Sequence, residues 1–169
     1  LAGLTGSGTY SFSDVSLPGL SPAAFLSGID GARDSAALVA AFDALRSGDG
    51  LAAGDIGGLI TIDNGEVAFQ PFAITTPEAK AEVKVAAELA LGEIDAAITL
   101  GFPQRPELPH MTVAYAGPPS ALARSEDTAE LSTRLGVAIM QQGVDELERL
   151  QREQERLAAE EERMRKEDE

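Results

Sequence analysis

The stretch AEVKVAAELALGEIDAAITLGF, residues 81–102, decides the fold of this chain. Its apolar residues occupy odd positions before the Gly92–Glu93 pair and even positions after it. Alternation with a period of two is typical of a strand buried on one face, and a change of phase at a glycine indicates a turn. The pattern therefore predicts a hairpin with a two-residue turn at Gly92 and Glu93. Its predicted pairs are Leu91 with Ile94, Leu89 with Ala96, Ala87 with Ile98, Val85 with Leu100 and Val83 with Phe102.

The predicted hairpin is apolar on one side only. Its other side carries mostly charged and polar residues, namely Glu82, Lys84, Glu88, Asp95 and Thr99. A strand pair of this kind needs something to cover its apolar side. What covers it is the functional question that the sequence poses.

Size and charge limit the classes of protein to consider. A chain of 169 residues can bury one moderate core, so we expect one domain with an appendage. The formal net charge of -15 repels a phosphate backbone, which argues against nucleic-acid binding. With no cysteine, the chain has neither disulfides nor a thiolate nucleophile. It begins at Leu1 rather than at methionine, so we expect a fragment or a processed product of a longer protein.

Turn and capping residues divide the first half of the chain. Residues 4–12 predict a Gly-rich strand, Ser21 and Pro22 predict the start of a short helix that ends at Gly28, and residues 48–58 suggest a loop. A second helix is predicted from a cap at Asp34 or Ser35 to Ser47 and Gly48. The remaining predictions are a hairpin at Asn64–Gly65 with Ile62 facing Val67 and Ile60 facing Phe69, an end or bulge at Pro71, and a last strand over residues 111–115.

A long amphipathic helix is predicted from Ser125 or Asp127 to the end of the chain. Its apolar stripe comprises Leu131, Leu135, Ile139, Met140, Val144, Leu147 and Leu150, and beyond these only Leu157 and Met164 continue it. The stripe has two interpretations, which are docking on the chain's own sheet and a coiled-coil seam with another chain. We favour docking over residues 131–150 and a charged, solvated helical tail over residues 151–169.

No motif predicts an enzyme. The single histidine, His110, lies beside Pro109 without a nucleophile elbow elsewhere, so we interpret it as a surface or strand-edge residue. The acidic run at 160–162 points in several directions around a helix and makes a poor metal cage. The glycines at 3, 6 and 8 precede neither a helix nor a lysine and are interpreted as strand or bulge positions. We expect no catalytic residues, no metal and no cofactor.

The order of these parts resembles the C-terminal region of AsmA-like proteins of diderm bacteria, which are related to bacterial bridge-like lipid transfer proteins. The resemblance covers most of the chain up to about residue 150. It rests on the Gly-rich strand at 3–12, Phe25 and Leu26, Phe42, the turn and strand at 64–67, the stretch 89–95, the Pro-rich approach to residues 113–117, and the closing helix after Asp127.

The resemblance implies a periplasmic location and a role in lipid transport. Proteins of this family are anchored in the inner membrane, cross the periplasm as a folded-over β-sheet with an apolar groove, and are thought to pass phospholipids toward the outer membrane. It implies phospholipid acyl chains as the ligand and no enzyme activity. The candidate groove residues are Val83, Val85, Leu89, Ile98 and Leu100.

Two alternatives stand beside this interpretation. The same five residues could be covered by the chain's own helices, which would make a closed core without a ligand. The chain could also be a non-enzymatic scaffold or assembly module that binds a partner protein through its C-terminal helix. In each case we predict an α+β fold with a curved antiparallel sheet of roughly six strands, helices inserted between the first two strands, and a long C-terminal helix. The domain is predicted to span residues 1–150.

Overall fold

The computed structural model describes residues 3–167 and has the predicted α+β fold. Residues 1–2, at the start of the predicted domain, and residues 168–169, at the end of the predicted tail, lie outside the described range. In chain order the elements are β1 (Gly6–Leu17), α1 (Pro22–Gly31), α2 (Ser35–Ser47), β2 (Leu51–Asp63), β3 (Glu66–Phe69), β4 (Phe72–Thr75), β5 (Lys80–Glu88), β6 (Glu93–Gly101), β7 (Met111–Gly117), β8 (Ala123–Asp127) and α3 (Ala129–Glu167). As predicted, two helices separate the first two strands and a long helix closes the chain.

The strands form one antiparallel meander. Its order is β1-β2-β3-β5-β6-β7-β8, and β4 pairs with β5 beside β3. Strands β3 and β4 lie end to end along β5, with Pro71 between them. Val67 is opposite Ala87, but Phe72 is opposite Val83, so the register changes by one residue across the interruption. The predicted break at Pro71 is confirmed, because proline cannot donate a hydrogen bond to the neighbouring strand.

The central hairpin is confirmed, but its predicted register is wrong. Val85 pairs with Ala96 rather than with Leu100, and the two strands are joined by a four-residue loop, residues 89–92. Gly92 closes this loop at φ 66°, and its N–H donates to the carbonyl of Glu88 at 2.8 Å. Because the shift is an even number of residues, every side chain stays on its predicted face.

Three element boundaries also differ from the predictions. Strand β2 begins at Leu51, within the predicted loop, and β8 lies where no strand was predicted, with its last residues overlapping the predicted start of the C-terminal helix at Ser125 or Asp127. Counting β4 as well, the sheet within residues 3–167 has eight strands rather than the roughly six predicted. Helix α1 continues past Gly28 and ends at Gly31. Gly28 lies against α2, where a Cβ would be 2.7 Å from the Cβ of Ala41. Gly28 therefore permits close packing of two helices instead of ending one.

The helices cover one end of the sheet's apolar face. Phe25, which is fully buried, lies with its ring centroid 5.2 Å from those of Phe42 and Phe102. Asp34 caps α2 as predicted, accepting a hydrogen bond from the N–H of Ala37 at 2.8 Å. The largest fully buried side chains belong to this cluster and are Phe25, Leu20, Leu45, Leu100, Met111, Leu131 and Val113.

Helix α3 docks on this core only through its first turns. Leu131 and Leu135 are buried and Ile139 packs against the cluster, whereas Met140 is 69% exposed. Every residue from 140 to 166 is exposed. The prediction that residues 131–150 dock is therefore wrong beyond residue 139, and the packed body ends there rather than at residue 150. Within residues 3–167, none of the helices combines the length and the hydropathy required to span a bilayer.

Candidate apolar groove

The part of the apolar face that the helices leave uncovered forms an open groove of about 560 Å³. This volume lies in the range typical of small-molecule and cofactor sites. All of its described lining residues are apolar or aromatic, and they are Tyr10, Phe12, Val15, Leu17, Pro18, Ile56, Phe69, Phe72, Val83, Val85, Ala96, Ile98, Tyr115 and Leu122. We call this surface the open groove.

Strands β5 and β6 form the floor of the open groove. Val83 pairs with Ile98 and Val85 pairs with Ala96, so the four side chains share one face of the sheet. Val83 and Ile98 are buried at the end nearer the helices, and Val85 is half-buried farther along. The alternation that defined the hairpin thus places a continuous aliphatic surface under the groove.

One wall is aromatic and comes from strands β1 and β3. The ring centroid of Tyr10 lies 5.7 Å from that of Phe12 and 5.2 Å from that of Phe69, the latter pair meeting edge to face. The hydroxyl of Tyr10 donates to the carbonyl of Gln70 at 3.2 Å. Because its polar atom has this partner, the tyrosine can present its ring as apolar surface. Phe12 remains 52% exposed.

An ionic network joins the two ends of the strand order beside the groove. Arg124 on β8 donates to the carbonyl of Gly19, just after β1, at 2.9 Å. Its guanidinium also lies 5.8 Å from the ring centroid of Tyr115 and contacts a carboxylate oxygen of Glu126 at 2.7 Å. These contacts tie the last strand to the chain that follows the first strand, and so they hold the sheet in a curve around the groove.

Glu126 also links this network to helix α2. Its carboxylate receives hydrogen bonds from Arg46, the shortest at 2.8 Å. Burial tends to raise the pKa of Glu126, but the hydrogen bond from Arg46 and the charge of Arg124 outweigh burial and lower the pKa below its usual 4.5. Glu126 is therefore held in its charged form at neutral pH.

The five predicted groove residues fall into three environments. Val83, Val85 and Ile98 line the open groove. Leu100 is fully buried in the closed core under the helices, and Leu89 lies in the hairpin loop away from the groove lining. The assignments of Leu89 and Leu100 are corrected accordingly, because the true register moves the loop back to Leu89 and the helices cover the end that holds Leu100. The open-groove and closed-core alternatives each describe one half of the same face.

The sequence interpretation missed the groove's walls. Tyr10 and Phe12 lie on one face of β1, and Tyr115 lies on β7 across the groove. The alternation in residues 4–12 carried the signal, since Tyr10 and Phe12 share a parity, but it did not show which other strands they would meet.

His110 is exposed, as the sequence suggested, and its ring packs against Gly101. Among residues 3–167, no three His, Cys, Asp or Glu side chains are grouped so that they could hold a metal ion. Other surface clefts include charged side chains in their lining, such as Arg33, Glu146 and Arg149 along helix α3 and Lys84 and Asp95 on the sheet. The open groove differs from them in being uncharged.

Comparisons with known proteins leave the groove as the main guide to function. No family model matches the chain, and searches of curated proteins and of solved structures returned no match.

Proposed function

We propose that the open groove binds acyl chains of phospholipids, and that the chain acts as a non-enzymatic lipid-carrying module. The observation that carries this proposal is an uncharged groove, open to solvent, along a curved sheet whose other half is filled by helices. An apolar surface of this kind suits a flexible hydrocarbon ligand, since it offers contact area without a fixed pattern of polar partners.

The energetics support a hydrocarbon ligand. Each methylene removed from water contributes about 0.8 kcal/mol, so several methylenes held at once can offset the cost of binding. The floor residues Val85 and Ala96 and the wall residue Phe12 supply aliphatic and aromatic contacts along the groove. Because the groove is open to solvent, a chain can also enter it from the side without threading.

The cellular setting is the part of the proposal that depends on the resemblance to AsmA-like proteins. The resemblance implies that this module lies in the periplasm, as part of a protein anchored in the inner membrane that passes phospholipids toward the outer membrane. The groove supports the lipid-binding step of that scheme.

A fluorescent fatty acid tests the lipid-binding step. We expect the purified chain to bind dansyl-undecanoic acid, and an unlabelled lysophospholipid to displace it. The variants Val85→Asp and Phe12→Asp place a carboxylate in the groove, so we expect each to weaken binding about tenfold or more, because the buried charge must be desolvated. Leu100→Asp is unsuitable here, because Leu100 lies in the closed core.

Leu59→Asp is the matched control. Leu59 is 57% exposed, similar to Phe12, but the register places it on the opposite face of the sheet. We expect this variant to bind the probe like the wild type. Equal loss in the groove variants and the control, or wild-type binding by folded Val85→Asp and Phe12→Asp proteins, would contradict the proposal. Mass spectrometry of lipids that copurify with the chain provides an independent measurement.

A further inference from the structure

Helix α3 continues well beyond its docked turns. Residues 140–166 are all exposed, and at about 1.5 Å per residue they extend roughly 40 Å. This region, which we call the projecting segment, nevertheless carries large apolar side chains. They are Met140 (69% exposed), Val144 (54%), Leu147 (63%), Leu150 (44%), Leu157 (50%) and Met164 (63%).

The spacing of these residues is that of a coiled-coil seam. Leu150, Leu157 and Met164 recur every seven residues, and a second row with the same interval starts with Met140 and Leu147 and continues with the polar residues Gln154 and Glu161. Two rows with a seven-residue repeat give a period of 3.5, which keeps a narrow stripe facing a partner helix. The docked turns of α3 differ, since Leu131, Leu135 and Ile139 follow at intervals of four.

The two edges of this seam differ in charge. Along one edge Glu146, Glu153 and Glu160 recur every seven residues, directly before the row that starts at Met140 and Leu147. The other edge carries Val144, Gln151, Ala158 and then Arg165. Each of these glutamates is followed three residues later by an arginine on the side away from the seam, namely Arg149, Arg156 and Arg163. Glu146 forms an ion pair with Arg149 at 2.5 Å. The edge that a partner helix would contact is therefore mainly anionic.

A second copy of this chain matches the seam poorly. In an antiparallel pair that aligns Leu147 with Leu157, Glu153 faces its own counterpart and Glu146 faces Glu160. In a parallel pair, Glu161 within the seam faces its counterpart, and Glu146 and Glu153 meet Gln151 and Ala158. Each chain also brings a net charge of -15. Both arrangements leave like charges close together, which opposes self-association.

We propose that the projecting segment binds an amphipathic helix of another protein, one with an apolar heptad seam and a row of Lys or Arg residues along the edge that faces Glu146, Glu153 and Glu160. Such a helix covers the exposed seam and places cations opposite the three carboxylates of its anionic edge. This surface is separate from the open groove, so it does not depend on the proposed lipid function.

A synthetic helix tests the proposal with the full chain. The probe is a peptide of about four heptads with Leu and Ile at the seam positions and Lys at both flanking positions, so that it repels itself. A twin peptide carries Glu in place of Lys. We expect fluorescence anisotropy to show binding of the Lys peptide, weakened by added salt, and at least about tenfold weaker binding of the Glu peptide.

Variants of the chain separate the seam from its charged edge. Leu147→Asp should weaken binding of the Lys peptide about tenfold or more, because it places a charge in the apolar contact. The double variant Glu153→Lys and Glu160→Lys should reverse the preference in favour of the Glu peptide. Its matched control is Glu155→Lys with Glu162→Lys, which makes the same change in net charge away from the seam and should keep the preference for the Lys peptide.

Several outcomes would overturn the proposal. Equal binding of the two peptides, binding of neither, or the same response from the edge and control variants would each do so. A dimer in sedimentation analysis that Leu147→Asp abolishes would assign the seam to a second copy. Binding to phosphatidylcholine–phosphatidylglycerol vesicles that is lost in Leu147→Asp would assign it to a membrane surface.

Discussion

Replacing Leu131 by alanine is expected to lower the free energy of unfolding by about 3 kcal/mol, whereas the same substitution at Leu147 should change it by less than about 0.5 kcal/mol. Both leucines lie on helix α3, so their helical propensities cancel in the comparison. Leu131 is fully buried between the helix and the core, and its truncation removes apolar contacts and leaves a cavity. Leu147 is 63% exposed on the projecting segment and has no comparable packing to lose.

Urea unfolding followed by tyrosine fluorescence measures both changes. The chain has no tryptophan, and Tyr10 and Tyr115 lie in the sheet, so the signal reports the packed body without a contribution from the projecting segment. The slope against urea should stay constant in both variants, which shows that the same surface is exposed on unfolding. Similar losses for the two variants would refute the inference that α3 leaves the core after Ile139.

Three further predictions concern other parts of the fold. Gly28→Ala should destabilise the protein by about 1–3 kcal/mol in thermal or urea unfolding, because its Cβ would overlap Ala41. Gly136→Ala should instead stabilise it by up to about 1 kcal/mol, because a Cβ there meets nothing within 4 Å. The lowered pKa of Glu126 contributes stability that is fully present above its usual pKa of 4.5 and is lost as pH falls through the lowered value. In Glu126→Gln the free energy of unfolding, measured across that acidic range, should therefore depend less on pH. Leu91→Lys should leave both stability and probe binding unchanged, since Leu91 is 70% exposed in the hairpin loop; a clear loss of stability would instead support the two-residue turn.

Features set by neighbouring residues could be predicted from the sequence. The Asn64–Gly65 hairpin has its predicted pairs, with Ile62 opposite Val67, and both turn residues adopt positive φ angles as this turn requires. The start of α1 at Pro22 and the cap of α2 at Asp34 are likewise as predicted. Each depends on a few adjacent residues whose backbone preferences are strong.

Features set by distant contacts could not be predicted. The predicted two-residue turn and the observed four-residue loop between β5 and β6 give strand registers that differ by an even number of residues. Hydrophobic alternation is therefore the same for both and cannot distinguish them. Apart from Ala123, strand β8 consists of polar and charged residues, and it is defined by pairing with β7 and by the contacts of Arg124 and Glu126. No local pattern in this segment distinguished a strand from a helix.

The sequence by itself determined that one face of the central hairpin is apolar, because side chains alternate along a strand whatever the strand meets. Only the tertiary structure decided which part of that face is filled and which stays open. Leu100 and Val85 have the same alternation and similar hydrophobicity, yet Leu100 is fully buried and Val85 lines the groove. The difference arises because α1, α2 and the first turns of α3 pack over one end of the sheet, and burial depends on where those distant segments come to lie.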